Sequence, residues 1–216
     1  AALETAKNKL TVQIFQLVRF VRDGQPAPMR KRDGNIYALM DLIREIGDTA
    51  LPDGTPEEKL TLGRDAARWF YLMRSHDTTL DFDIDLASKQ GDENPVFYVQ
   101  YAHARICSVL AAWGGDVATL AQADVSALNG PQAQALMLKL AQYPQMLSAA
   151  AQDFAPHDVT FFLRELASLY HSYYDAERIL VDDETIRKAR LALVAATAQV
   201  LHNGLQVLGV SAPTKM

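Results

Sequence analysis

Apolar residues follow two rhythms along this chain, mixed up to about residue 93 and helical in every long segment after it. Residues 10–22 are rich in Val, Ile and Phe and predict a strand, closed by the turn signal Asp23-Gly24. Gln25 to Asn35 reads as a loop with two prolines, a basic cluster and Asp33-Gly34. A short helix is expected over about 38–46, stopped by Gly47. Residues 48–61 carry Pro52, Asp53-Gly54 and Pro56 and read as a surface excursion. Arg64 to Arg74 predicts another helix, with Ala67, Phe70, Tyr71 and Met73 able to pack. From Thr79 to Leu86, Leu80, Phe82, Ile84 and Leu86 alternate with Asp81, Asp83 and Asp85, the period of a half-buried strand.

From Asn94 onward the period becomes helical. Helices are expected over about 94–113, 131–152, 158–180 and 183–208, punctuated by Gly114-Gly115, Asn129-Gly130-Pro131, Ala155-Pro156 and Asp182-Asp183. Four such segments predict a helical bundle. In the first, Val96, Val99, His103, Ile106, Leu110 and Trp113 form a narrow apolar stripe, while Tyr98, Tyr101, Arg105 and Ser108 fall opposite. In the third, Phe162, Leu166, Leu169, Tyr173, Ala176 and Leu180 form the core stripe, with Tyr170, Tyr174 and Arg178 along a flank. Two readings of these flanks stand: aromatic packing between helices, or a surface that stacks on bases and binds phosphates of single-stranded RNA.

Composition narrows the choice only partly. The 216 residues suffice for a real core, and 49% hydrophobic with 22% charged is ordinary for a globular chain. A net charge of −5 argues against a generic nucleic-acid binder. Neither part escapes this: residues 1–93 hold 13 basic and 16 acidic groups, and residues 94–216 hold 8 and 10. RNA binding would need local patches rather than bulk charge. No apolar run suits a membrane span and no secretory leader is visible. The single cysteine, Cys107, reads as a buried reduced thiol, which with the missing leader predicts a cytoplasmic protein.

Catalytic and metal motifs are sparse. Asp81-x-Asp83-x-Asp85 opens like a calcium loop, but Leu86 and Asp92 stand where Gly and Glu are required. The five histidines lack metal-type spacing; His103 reads as a core histidine and His157 as a helix cap. No metal site is expected. Neither G-x-S-x-G nor a Walker loop occurs. Arg190 lies near the apolar line of Ile186, Leu193, Thr197 and Val200 and reads as structural, needing a carboxylate or carbonyl partner. Arg30-Lys31-Arg32, followed by Gly34, could neutralise phosphate charge or form a solvated charged loop.

Several words of the sequence occur in the order of one family: Met29-Arg-Lys-Arg-Asp-Gly-Asn35, Gly63-Arg-Asp-Ala-Ala-Arg-Trp-Phe-Tyr-Leu-Met-Arg-Ser75, Leu80-Asp-Phe-Asp-Ile-Asp-Leu-Ala87, Asn94-Pro-Val-Phe-Tyr-Val-Gln-Tyr-Ala-His-Ala-Arg-Ile106, Ala189-Arg-Leu-Ala-Leu193 and Gln199 through Met216. Together they span residues 29–216 of the chain, which resembles the C-terminal part of arginyl-tRNA synthetase, a class I aminoacyl-tRNA synthetase, of bacterial type. The resemblance implies a mainly α fold. A helical-bundle anticodon-binding domain at 94–216 would follow a catalytic-domain remnant at 1–47, the small α/β end of a Rossmann-type domain. Residues 48–93 would be a connecting region with an insertion, a helix and an acidic strand.

The resemblance also implies tRNA(Arg) as partner, with Tyr98, Tyr101, Arg105, Tyr174, Arg178 and Met216 facing the anticodon stem-loop. Lys31 would contact ATP phosphates from the signature loop, with Arg30 and Arg32 as helpers. Here Arg30 replaces a serine, and Pro28 stands where a first lysine often sits. Arginine, ATP and Mg2+ would serve the complete enzyme, with no cofactor in this chain itself. The family's histidine-glycine ATP motif is not in the sequence, so the chain is expected to be a functionally inactive fragment whose missing N-terminal part carries the chemistry; it is also expected to be monomeric. The alternative is a stand-alone, synthetase-derived module that binds RNA or protein.

Overall fold

A computed structural model describes residues 11–27 and 37–216. Before residue 94 the chain builds a three-stranded sheet covered by a helix pair. β1 (Val18–Arg22) turns through Asp23 and Gly24, both at positive φ, into β2 (Gln25–Pro26). Two successive positive-φ residues make the tight connection that matches strand twist. β1 then pairs in parallel with β3 (Leu80–Asp83), giving the order β2-β1-β3. Phe20 and Phe82 meet across the ladder at 5.5 Å, and Phe70 closes on Phe82 at 5.3 Å.

The expected strand over 10–22 is therefore shorter. Residues 11–17 hold no regular element, and Val12, Ile14, Phe15 and Leu17 are exposed. The strand expected to reach Leu86 stops at Asp83, whose carboxylate accepts from Leu86 N at 2.9 Å and caps α3 (Ile84–Ala87). Asp81 is indeed on the wet face, paired with Arg19 at 2.7 Å.

Two helix expectations also need correction. α1 runs from Leu39 to Ala50, through Gly47 rather than ending there. The expected excursion at 48–61 contains only a short turn. α2 (Pro56–Leu72) begins inside it, with Thr55 and Glu58 exchanging side-chain and backbone bonds across the first turn. Gly47 and Gly63 instead let the two helices cross closely. A Cβ on Gly47 would stand 2.1 Å from the Lys59 carbonyl oxygen, and one on Gly63 would stand 1.9 Å from that of Ile43.

The bundle follows its predicted order. α4 (Pro95–Trp113) is capped by Asn94 and ends at left-handed Gly114. A 3-10 turn, Val117–Gln122, leads to α5 (Pro131–Gln152), α6 (Pro156–Ala176) and α7 (Glu184–Val207). Pro occupies the first turn of α4, α5 and α6, where its missing N–H costs nothing. Asp183 caps α7 by accepting from Ile186 N at 2.9 Å. α4 packs on both α6 and α7. The core takes Val96, Val99 and Ile106 from α4, Leu163 and Leu166 from α6, and Leu191 and Leu201 from α7.

His103 is buried among them. Its Nδ1–H donates to the Pro213 carbonyl at 2.9 Å, and burial lowers its pKa, so it stays neutral. Burial likewise raises the pKa of the partly exposed Cys107 thiol. Arg190 bonds the Glu177 carboxylate and, at 2.6 Å, the Arg178 carbonyl, a structural role. These contacts tie the α6–α7 connection to the last helix.

Candidate nucleic-acid interface

The α4–α6 seam gathers aromatic rings around a histidine. His171 lies 5.0 Å from the Tyr98 ring and 5.9 Å from that of Tyr101, the latter nearly parallel. Arg105 donates from Nη1 to His171 Nδ1 at 3.3 Å. The same guanidinium lies 3.9 Å above the centre of the Tyr174 ring. This puts the His171 proton on Nε2, which is buried and without a hydrogen-bond partner. Burial, and next the Arg105 charge, lower the pKa of His171; Asp92 and Asp175 pull weakly the other way. His171 is thus neutral and fixes one edge of a guanidinium that is already stacked on its other face.

Of the residues expected at the site, Tyr98, Tyr101, Arg105 and Tyr174 are brought together. Tyr101 is the most open ring, 37% exposed. Arg178 follows the end of α6, and with Arg105, Ser108 and Tyr174 it lines a groove of about 600 Å3. Asp175 and Glu177 share that groove, so it offers paired rather than massed cations.

Met216 lies elsewhere. It is 54% exposed and lines a separate cavity of about 640 Å3 with Leu62, Asp65, Phe97 and Gln100. One aromatic step joins the two places: the Phe97 ring lies parallel to that of Tyr101 at 6.3 Å. A third opening sets Tyr98 beside Phe161 and Arg164. Lys31, Arg30 and Arg32 lie outside the described residues.

Tyr170, expected on the flank with Tyr174 and Arg178, is fully buried, and its hydroxyl has no partner. Tyr170 continues the buried line of Leu163 and Leu166, seven and four positions before it. Tyr174 shares its side of α6 with His171, three positions before it, and Arg178 follows the helix end. That spacing was available in the sequence, and His171 is the residue it would have found. Phe97 and Asp65 had no such signal. Among the described residues no cluster of His, Cys, Asp and Glu is arranged to hold a metal.

The profile of the DALR anticodon binding domain matches residues 99–216, which include Tyr101, Arg105 and the whole α6 flank. The chain belongs to this DALR family. Its relatives agree with the sequence resemblance. An arginine–tRNA ligase of Delftia acidovorans is 62% identical over 203 residues, 94% of this chain and 33% of that protein. The chain therefore spans about a third of the length of the curated relatives it matches. The crystal structure of an arginyl t-RNA synthetase from Campylobacter jejuni superposes with a TM-score of 0.76 at 27% identity, over 94% of this chain and 40% of that one. The arginyl-tRNA synthetase of Thermus thermophilus gives 0.71 at 26%, over 91% and 34%. The likeness thus extends beyond the DALR bundle to the sheet and helix pair before it. The described DALR helices include none long and apolar enough to cross a membrane.

Proposed function

We propose that this chain is the tRNA-reading end of an arginine–tRNA ligase, and that its α4–α6 face binds the anticodon stem-loop of tRNA(Arg). The observation that carries this reading is the Tyr98–Tyr101–His171–Arg105–Tyr174 cluster on a bundle of the DALR family. Tyr101, 37% exposed, is the ring of this cluster most open to a base. Arg105 keeps N–H groups for phosphate beyond the one spent on His171. Arg178 supplies a second guanidinium at the groove, and Met216, by way of Phe97, an apolar surface at the other end. Residues 94–216 form the anticodon-binding domain; residues 1–47 and 48–93 are the end of the catalytic domain and its connection. Lys31, helped by Arg30 and Arg32, contacts ATP phosphates, a role resting on the sequence resemblance. The whole enzyme uses ATP, Mg2+ and arginine, acts in the cytoplasm and is monomeric.

The test is binding of a tRNA(Arg) transcript and of one with an altered anticodon, followed by gel shift. The cognate transcript is expected to bind more tightly. Equal binding would mean that the face does not read the anticodon, and no binding would remove the RNA reading altogether. Tyr101→Ala is expected to weaken the cognate complex by about 1–3 kcal/mol, the range for losing one base stack. Unchanged affinity with intact helical circular dichroism would exclude Tyr101 from the contact. The isolated 216-residue chain is expected to give no ATP–pyrophosphate exchange with arginine, because the ATP-binding histidine-glycine motif is not in its sequence. Measurable exchange would show that these residues suffice for adenylate formation.

A further inference from the structure

Asp65 is 2% exposed on α2, and its nearest guanidinium nitrogen, Arg64 Nε, stands 3.8 Å from Oδ1 on a half-exposed side chain. Its Oδ2 accepts from Gln100 Nε2 at 3.1 Å, from Ser211 N at 3.1 Å and from the Ser211 hydroxyl. Gln100 closes the knot by donating to the Ser211 carbonyl at 3.0 Å. Two residues on, the Pro213 carbonyl accepts from His103. Left-handed Gly209 turns the chain into this clamp from the end of α7, directly under Arg68. Thus α2 and α4 grip the C-terminal tail, and Met216 ends in the cavity that Phe97 and Asp65 also line.

A buried carboxylate without a close cation is costly unless hydrogen bonds replace its water. Ser211 provides two of the three donors to Oδ2. Oδ1 makes no hydrogen bond at all. Carboxylate and tail therefore hold one another, and neither is satisfied alone. We propose that Asp65 is a positioning residue for RNA binding: from the upstream helix it latches the C-terminal tail and holds Met216 beside Phe97, next to the Tyr101 stack. The latch rests on the RNA-binding reading above and adds that the upstream unit sets the affinity of the bundle.

The test follows hydrogen exchange of the tail peptide and affinity for the tRNA(Arg) transcript in the same 216-residue chains. Asp65→Asn and Ser211→Ala are expected to speed exchange over residues 209–213 and to weaken binding about tenfold, the scale of one charge-assisted hydrogen bond. Ser211→Thr, which keeps the hydroxyl, is expected to restore both. Ser211→Ala lies outside the helices and keeps the test open should Asp65→Asn fail to fold. Removing Lys215 and Met216 is expected to cost a similar factor and to abolish any further loss from Ser211→Ala, the non-additivity of a shared pathway. Faster exchange with unchanged affinity overturns the latch, as does unchanged exchange. A loss that persists in the truncated chain also overturns it, because the substitution then acts through the fold. Wild-type chain that binds no RNA sinks both readings, and is recognised before any substitution is made.

Discussion

Arg105→Ala is expected to weaken binding of the tRNA(Arg) transcript by about 2–3 kcal/mol, roughly 30- to 160-fold in Kd. Three losses contribute. The guanidinium leaves the face of Tyr174, where it stands 3.9 Å from the ring centre; such contacts are worth about 0.5–2 kcal/mol. Its bond to His171 disappears, freeing a ring that Tyr98 and Tyr101 lean on. One phosphate contact is lost as well. Asp175, at 4.0 Å and largely exposed, contributes little in water. Arg105→Lys keeps the charge but not the flat, forked group, and should recover less than half of the loss. The salt series separates the terms: alanine should lower the slope of log K against log salt by about one, whereas lysine should leave it. An alanine variant binding within twofold of wild type would remove Arg105 from the interface.

Gly63→Ala is expected to destabilise the upstream unit by about 3–4 kcal/mol, a loss in the range of severe overpacking. Helix propensity alone would favour alanine by about 0.5–1 kcal/mol. Overlap decides the sign, because the new Cβ would lie 1.9 Å from the Ile43 carbonyl oxygen and 3.2 Å from Gly47 N. These are backbone atoms, so no side chain can step aside. α1 and α2 must separate, and Trp69, fully buried on α2, must feel it. Urea unfolding followed by Trp69 fluorescence in a Trp113→Phe background reads this directly. A midpoint equal to that of the parent would mean that the crossing tolerates a methyl group. Because Gly63 and Asp65 are neighbours on α2, the same variant should also loosen the C-terminal tail.

The bundle was legible because its boundaries are local chemistry. Asn94, Pro131, Pro156 and Asp183 each start a helix in ways that single residues impose, and Gly114 ends one at positive φ. The upstream unit was less legible because signals conflicted there. Pro52, Gly54 and Pro56 suggested a loop, yet Thr55-Pro56-Glu57-Glu58 also spells a capping box, and the box prevailed. Gly47 carried the chemistry of a helix end but is used for close packing, a fact that only α2 supplies. At the candidate interface, Tyr98, Tyr101, Arg105 and Tyr174 came from periodicity and family resemblance together. Tyr170 went to the core because it continues the buried line of Leu163 and Leu166, which left the flank to His171. Asp65 could not be found locally, since its partner Ser211 is 146 positions away.

The parallel pairing of β1 with β3 has a consequence for how the chain reaches this structure. Arg19 and Asp81 sit side by side although 62 positions separate them. Everything between them, including α1 and α2, must be gathered before the ladder can close. Contacts within the helix pair span far less chain and close cheaper loops. The sheet is therefore expected to close late, after the helical hairpin of α1 and α2.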